Sequence, residues 1–294
     1  MKKHIIVVTG GAGFIGSSLI KYLISSKFKE QIISIDNYSS GNIKNHIKSK
    51  KVRYIRGENK NINILLRPYK KNIKVIFHFG EFSRIFQSFK NHKKCFEYNI
   101  HNSFKVIDFA KDNNIKIIYS ATSSNLGNKG TDEHLSPYAW SKSKNIELIK
   151  NYSKWFGLKY ELVFFYNVYG PGQILNTPMS AVIGIFENQY KKKEHLTIVR
   201  PGTQKRDFTH ISDIVQGCIL AWKNGNQNEY MLGTKKTYSI NSIAKMFKTK
   251  IKYIPERPGE RYKSTITNNN ANKILRYKAK VDIKDYIKNF IIEN

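Results

Sequence analysis

The chain has 294 residues, enough for one large domain with a smaller companion, and no apolar stretch approaches the ~20 residues that cross a bilayer. Its 51 lysines and arginines against 21 acidic residues give a formal net charge of +30, a value that raises the question of a nucleic-acid partner. The lysines are spread along the whole chain without a zinc-finger, RNA-recognition or helix-turn-helix pattern, so we interpret the charge as compositional bias and expect no nucleic-acid partner and no membrane insertion.

The first predicted unit is a buried strand over 4–9 that runs into a glycine-rich turn and a helix. Gly10, Gly13 and Gly16 in this turn allow a tight bend, a close approach of the backbone to a pyrophosphate, and close packing of the helix on the strand. The helix N-terminus then offers unpaired N–H groups and a positive dipole end to the phosphates. This pattern predicts a dinucleotide-binding βα unit; a glycine loop without a ligand is the alternative.

A second predicted strand over 31–35 ends at Asp36, 20 residues after Gly16. A carboxylate at this spacing accepts hydrogen bonds from a ribose 2′-OH and repels a 2′-phosphate. The sequence therefore predicts NAD, in preference to NADP, as the cofactor.

Strands continue to alternate with helical patterns along the first part of the chain. The further strands are predicted over 52–56, 74–79, 115–120 and 160–166, with long helical segments over 84–110 and 138–156. This alternation predicts an α/β fold with a Rossmann-type, doubly wound parallel sheet. After residue 170 the elements become shorter, which predicts a smaller C-terminal substrate-binding lobe. We expect a domain over 1–170, to which 207–232 returns, and a lobe formed by 171–206 and 233–294.

Tyr138 and Lys142 form the second informative pattern. Pro137 begins a helix on which these two residues, four apart, lie on the same face. A tyrosine with an unperturbed pKa near ~10 needs a nearby cation to act as a base around neutral pH. A Tyr-x-x-x-Lys pair is common by chance, but this pair follows a dinucleotide motif and a run of hydroxyl residues that includes Thr122, at the end of a predicted strand. We therefore predict a proton-transfer site.

These motifs resemble the extended short-chain dehydrogenase/reductase superfamily, specifically its NAD-dependent nucleotide-sugar epimerase/dehydratase family, and within it the UDP-glucose and UDP-N-acetylglucosamine 4-epimerases. The resemblance covers nearly the whole chain and implies Thr122, Tyr138 and Lys142 as catalytic residues. It implies cofactor binding by Gly10, Gly13, Phe14, Ile15, Gly16, Asp36, Asn37, Ser39, Gly41, Glu58, Phe79, Gly80, Asn99, Tyr138 and Lys142. It implies substrate binding by Thr122, Ser123, Asn167, Ala181, Val182, Arg206, Arg257 and Ser264.

Departures from the family pattern narrow the expected reaction. Similar 4,6-dehydratases carry Asp-Glu directly after the catalytic hydroxyl and similar decarboxylases carry a glutamate just after it, whereas Thr122 is followed by Ser123 and Ser124. A small residue at Ser264 is expected to admit an N-acetyl group, and Glu81 stands where the family more often has a small residue.

The expected function is therefore an NAD-dependent nucleotide-sugar 4-epimerase acting on UDP-N-acetylglucosamine or UDP-glucose. A 4-dehydrogenase or 4-keto reductase on the same scaffold is one alternative, and a non-catalytic NAD- or RNA-binding protein is a more remote one. By the same resemblance the helical segments over 84–110 and 138–156 pair across a two-fold axis, so we expect a homodimer. Cys95 and Cys218 lack metal-ligand spacing, so we expect reduced thiols, no metal and a cytoplasmic location.

Overall fold

The computed structural model describes residues 4–125, 134–259 and 266–294. The strands are β1 (Ile5–Thr9), β2 (Gln31–Asp36), β3 (Val52–Arg56), β4 (Ile73–His78), β5 (Lys116–Thr122), β6 (Tyr160–Phe165), β7 (Leu196–Val199), β8 (Lys205–Asp207), β9 (Glu229–Leu232), β10 (Thr237–Ser239) and β11 (Ile251–Ile254). The helices are α1 (Phe14–Ser25), α2 (Ile62–Leu66), α3 (Ile85–Lys90), α4 (His92–Phe96), α5 (Ser103–Asp112), α6 (Pro137–Phe156), α7 (Val182–Lys191), α8 (Ile211–Asn224), α9 (Ile240–Met246), α10 (Asn270–Lys273) and α11 (Ile283–Glu293).

The main sheet is parallel throughout and has the strand order β3-β2-β1-β4-β5-β6-β9. Its strands are rich in buried Ile, Val and Phe, as expected of a sheet covered on both faces. One apolar cluster includes side chains of α5 and α6, and a second on the other face includes side chains of α1 and α8. The predicted doubly wound Rossmann-type sheet is confirmed.

The chain reverses its direction of winding between β1 and β4, which are neighbours in the sheet. From β1 the strands proceed to β2 and β3 on one side, and from β4 they proceed to β5 and β6 on the other. Beyond their first turns, the connections after β1 and β4 run to opposite faces of the sheet and leave a crevice at the carboxyl ends of the strands, where open α/β sheets bind ligands.

Helix α6 has clear start and stop signals. The Ser136 side chain accepts a hydrogen bond from the Ala139 amide, Pro137 occupies the first turn, and Gly157 ends the helix in the left-handed conformation at φ +71°. The segment over 84–110, predicted as one extended or two shorter helices, is divided into α3, α4 and α5, with a π-helical turn over Glu97–Asn102 between the last two. A π-helical turn widens the helix locally and reorients its side chains.

The remaining elements form a smaller assembly beside the carboxyl ends of the sheet. Strand β7 pairs in parallel with β11, and β8 pairs antiparallel with β10. Helices α7, α9 and α11 pack with them around a third apolar cluster that includes Phe186, Phe247 and Phe290. The exact division into two domains stays a prediction. Within the described residues, no helix is long and apolar enough to span a bilayer.

Candidate functional site

A cavity of about 450 Å³ lies in the crevice between the main sheet and the smaller assembly. One side is lined by the glycine-rich turn after β1, and the other by residues near β8, α7 and the loop after β11. The predicted residues that line it are Gly10, Gly13, Phe14, Ile15, Gly16, Asp36, Asn37, Ser39, Glu58, Phe79, Gly80, Thr122, Ser123, Tyr138, Lys142, Asn167, Ala181, Val182, Arg206 and Arg257. Ser264 lies outside the described residues.

The glycine-rich turn leaves no room for side chains where the backbone approaches the cavity. Gly10 has φ +70°, and a Cβ atom there would lie 2.7 Å from the amide nitrogen of Gly80. A Cβ atom on Gly16 would lie 2.2 Å from the carbonyl oxygen of Gly10. Helix α1 begins directly after the turn without a side-chain cap, so its first N–H groups remain for an anion in the cavity.

The Asp36 carboxylate is fixed beside this turn. It accepts hydrogen bonds from the Ala12 amide at 2.9 Å and the Tyr38 amide at 2.7 Å. Burial raises the pKa of Asp36, and these backbone hydrogen bonds oppose the rise. Gly41 packs behind the carboxylate, where an added Cβ atom would lie 3.0 Å from an Asp36 oxygen. Gly41 thus supports the position of Asp36 and is not among the residues lining the cavity.

Glu58 joins two amide side chains at the same end of the cavity. Its carboxylate accepts hydrogen bonds from Asn37 at 3.0 Å and Asn102 at 3.1 Å. Asn37 and Glu58 were predicted from sequence, whereas Asn102 was missed. Asn102 is the last residue of the π-helical turn, and the sequence gives no signal for such a turn.

Asn99 lies behind the wall of the cavity. Its side chain is fully buried, accepts a hydrogen bond from the Phe82 amide at 2.7 Å, and donates to the Phe82 carbonyl at 3.1 Å and to the Ser141 hydroxyl at 3.0 Å. These contacts hold the turn after β4 against α6. The structure therefore does not bring Asn99 together with the other predicted cofactor residues.

Tyr138 and Thr122 lie near the middle of the cavity. Tyr138 is in the first turn of α6, at the positive end of the helix dipole, and its amide donates to the Ser88 hydroxyl at 3.2 Å. Thr122 is the last residue of β5, and its hydroxyl bonds to the Ser124 side chain and amide, both at 3.1 Å. A phenol and a hydroxyl thus line the same cavity.

Lys142 is one helical turn beyond Tyr138 and almost completely buried. Its ammonium group donates to the Ser120 carbonyl, lies 4.6 Å from the centre of the Tyr119 ring, and forms an ion pair with Glu81. The sequence singled out Glu81 only as an atypical residue. No pattern at the sequence level indicates that its carboxylate reaches Lys142.

Three arginines line the substrate side of the cavity. Arg206 is on β8, and the Arg257 guanidinium lies 5.0 Å from the centre of the Phe86 ring. Arg84, which sequence analysis missed, donates from Nε to the Met179 carbonyl at 2.6 Å and from Nη1 to the Ser83 carbonyl at 3.0 Å. Guanidinium groups in a cavity lining are suited to binding phosphate oxygens.

Asn167, Ala181 and Val182 complete this side. Asn167 has a left-handed backbone at φ +29°, and its side chain donates to the Asp207 carbonyl at 2.8 Å. Val182 begins α7 with Ala181 as its N-cap, so a second helix N-terminus adjoins the cavity. In the part of the chain that the structure describes, no three His, Cys, Asp or Glu side chains are placed to hold a metal ion.

The fold and the cavity define a dinucleotide-binding enzyme of the Rossmann type. Residues 6–233 match the model of the NAD dependent epimerase/dehydratase family, and the chain belongs to this family. The NAD dependence of the family confirms the cofactor predicted from the sequence. The glycine-rich turn and the fixed Asp36 carboxylate fit that cofactor, because glycines at Gly10 and Gly16 let the turn pack tightly ahead of an uncapped helix N-terminus, with the carboxylate beside it.

Individual relatives are similar along their whole length. A Methanocaldococcus jannaschii protein provisionally named UDP-glucose 4-epimerase is 28% identical over 97% of both chains. The structure of UDP-N-acetylglucosamine 4-epimerase from Methanobrevibacter ruminantium M1, in complex with UDP-N-acetylmuramic acid, is 28% identical, covers 100% of both chains and has a TM-score of 0.86. UDP-glucuronic acid 4-epimerase from Bacillus cereus, with UDP-glucuronic acid and NAD, is 25% identical, covers 98% of this chain and 99% of its own, and has a TM-score of 0.87.

Replacing Asp36 tests the cofactor preference. In Asp36→Asn we expect NAD to bind roughly tenfold more weakly, because a charged hydrogen-bond acceptor is lost, and the discrimination against NADP to shrink. Isothermal titration of both cofactors measures the two dissociation constants. Asp112→Asn, an exposed change at the end of α5, is the matched control and should leave both constants unchanged. An unaltered NAD/NADP ratio in Asp36→Asn would contradict the assignment.

Proposed function

We propose that the chain is an NAD-dependent nucleotide-sugar 4-epimerase that acts by transient oxidation of C4, with UDP-N-acetylglucosamine or UDP-glucose as substrate. One observation carries the proposal: a single cavity is lined by the cofactor turn, by Thr122, Tyr138 and Lys142, and by Arg206 and Arg257. The cavity thus brings the cofactor turn, the proposed catalytic groups and the arginines together at one place. The UDP-sugars named for the M. ruminantium and B. cereus structures support a UDP-linked substrate.

The proposed base is Tyr138, which takes the proton of the C4 hydroxyl. The N-terminus of α6 contributes a positive dipole end near this phenol, and Lys142 contributes a cation one turn away. The Thr122 hydroxyl hydrogen-bonds to the same sugar oxygen and keeps it in place. When bound, NAD would supply the redox chemistry at C4, as acceptor and then donor of the hydride.

Epimerisation requires that the sugar rotate within the site while its nucleotide stays bound. We assign binding of the diphosphate to Asn167, Arg206 and Arg257. The planar guanidinium groups of the two arginines can each bind a pair of phosphate oxygens. The sugar itself must be held loosely enough to present its other face. Ser123 and Ser124, which follow Thr122, carry hydroxyl groups and line the cavity. They therefore do not supply the acid and base that a 4,6-dehydratase uses at these positions.

The direct test is incubation of the purified chain with UDP-N-acetylglucosamine or UDP-glucose, with and without added NAD. Sugar products are followed by NMR, and reduced cofactor by its absorbance. We expect conversion to the galacto epimer without accumulation of NADH. Stoichiometric NADH with a released keto sugar would identify a 4-dehydrogenase. Absence of turnover on both sugars, with salt-sensitive RNA binding, would favour a non-catalytic protein.

Tyr138→Phe removes the proposed base while keeping the ring. We expect kcat to fall by about a hundred- to ten-thousand-fold, the range typical of general acid–base catalysis, with little change in NAD affinity. Tyr152→Phe makes the same change farther along α6, outside the residues that line the cavity, and should retain full activity. Equal activities of the two variants would contradict the role of Tyr138.

We also propose a homodimer. A surface groove lined by Ile100, Phe104 and Leu148 runs between the π-helical turn, α5 and α6, and large aromatic side chains, Trp155 and Phe156, are exposed at the end of α6. Exposed apolar surface of this kind is suited to a second copy of the same face. Sedimentation of the purified chain should give twice the monomer mass, and a monomer at micromolar concentration would contradict the assignment.

A further inference from the structure

The Glu81 carboxylate is the most completely bonded acidic group beside the proposed catalytic pair. One of its oxygens accepts hydrogen bonds from Ser103 at 2.8 Å, Tyr119 at 2.9 Å and Asn145 at 3.1 Å. The other oxygen is in the ion pair with Lys142. The two charged side chains are only 2% and 4% exposed, so water screens their attraction little.

Four donors converge on this one buried carboxylate. The hydrogen bonds come from β5, α5 and α6, and Gly80, at the turn after β4, places Glu81 among them. Glu81 is therefore part of the scaffold that fixes Lys142, and it interacts electrostatically with His78, Cys95 and Tyr119. An ammonium with a carboxylate in contact acts on its surroundings as a dipole, whose field falls off faster than that of a lone cation.

The other titratable groups that face this pair lie on separate elements. Burial lowers the pKa of His78 on β4 to about 4 and raises the pKa of Cys95 on α4 to about 11. Burial also raises the pKa of Tyr119 on β5. Arg84, before α3, interacts electrostatically with Tyr138 and keeps its charge throughout. None of these four groups changes its charge near neutral pH, which leaves Glu81 as the residue that offsets Lys142.

We propose that Glu81 is a positioning residue that acts through Lys142: it anchors the lysine ammonium against β5 and offsets its charge, and so sets the pH at which Tyr138 becomes a base. This inference rests on the proposed function, in which Tyr138 is the proton acceptor. The carboxylate disfavours a second negative charge on the Tyr138 phenol. It also favours the protonated form of Lys142.

The sign of the effect follows for both partners. Without the carboxylate, the Tyr138 phenolate forms at lower pH, and Lys142 loses its proton at lower pH. Both limbs of a bell-shaped pH–rate profile therefore move in the acid direction, the basic limb more, because Glu81 contacts Lys142 directly. A residue that only supports the fold would lower the rate without moving either limb.

The test uses Glu81→Gln, which keeps the shape and removes the charge. Phenolate formation at Tyr138 is followed by ultraviolet absorbance against pH, with and without NAD, after subtraction of the same protein carrying Tyr138→Phe. We expect the midpoint to move down by about one pH unit, because a nearby negative charge that disfavours the phenolate is removed. The measurement needs no substrate, so it remains decisive even if the chain proves not to be an epimerase. In a separate experiment on active enzyme, the pH–rate profile gives the positions of the two limbs.

Two matched variants separate charge from structure. Ser103→Ala removes one hydrogen bond to Glu81 without changing charge, and its midpoint should stay within experimental error of the unaltered chain. Glu81→Asp keeps the charge, so its midpoint should return most of the way to that of the unaltered chain. An unshifted midpoint in Glu81→Gln, or equal shifts in Glu81→Gln and Ser103→Ala, would overturn the proposal.

Glu81→Ala serves as a second charge-removing variant if Glu81→Gln does not fold. It should shift the midpoint in the same direction. Failure of both variants to fold would assign Glu81 a purely structural role and would equally overturn the proposal.

Discussion

The close contact between the turns after β1 and β4 is the constraint on which the site depends. Gly10 and Gly80 meet so closely that a Cβ atom on either would lie within 2.9 Å of the other's backbone. The contact lies where the sheet reverses its winding and the crevice opens. It therefore fixes both walls of the crevice relative to each other. On one side the chain continues into α1 and the cofactor cradle. On the other it continues directly into Glu81, and thus to Lys142.

The charges of the site are distributed in a consistent way around this contact. Helix N-termini and arginines lie along the cavity, while a fixed carboxylate, Asp36, lies beside the glycine-rich turn. Near the proposed reacting centre the balance is closer to neutral, because Glu81 offsets Lys142. In the proposed function, this positive charge binds the substrate phosphates and the Glu81–Lys142 pair adjusts the base. The overall +30 of the chain is not needed to explain either effect.

Much of the fold could be predicted from the sequence because its signals are local. Buried strands correspond to short apolar runs in the sequence. The turn after β1 requires glycines, and their spacing can be recognised in the sequence. The start of α6 has a serine cap and a proline, so its boundary was predicted within one residue. The π-helical turn over Glu97–Asn102 was not predicted, because a single widened turn has no periodicity of its own.

Residues that line the cavity were predictable where the signal is a spacing along one element, as for Gly10, Gly16, Tyr138 and Lys142. They were not predictable where contacts join distant parts of the chain. Glu81 meets Lys142 across 61 residues, and Arg84 bonds to Met179 across 95. Asn99 matches a motif of the family, but its side-chain amide bonds to Phe82 and Ser141 and holds them in place. Only the tertiary packing distinguishes a motif residue that lines the cavity from one that supports its wall.

The central claim, transient oxidation at C4 within one closed site, is tested most directly with a UDP-sugar carrying deuterium at C4. If the cofactor takes the label from one face of the sugar and returns it to the other, the epimer formed by the purified chain retains deuterium at C4, and none reaches solvent or free cofactor. Loss of the label from the product, or its release on free reduced cofactor, would contradict the account.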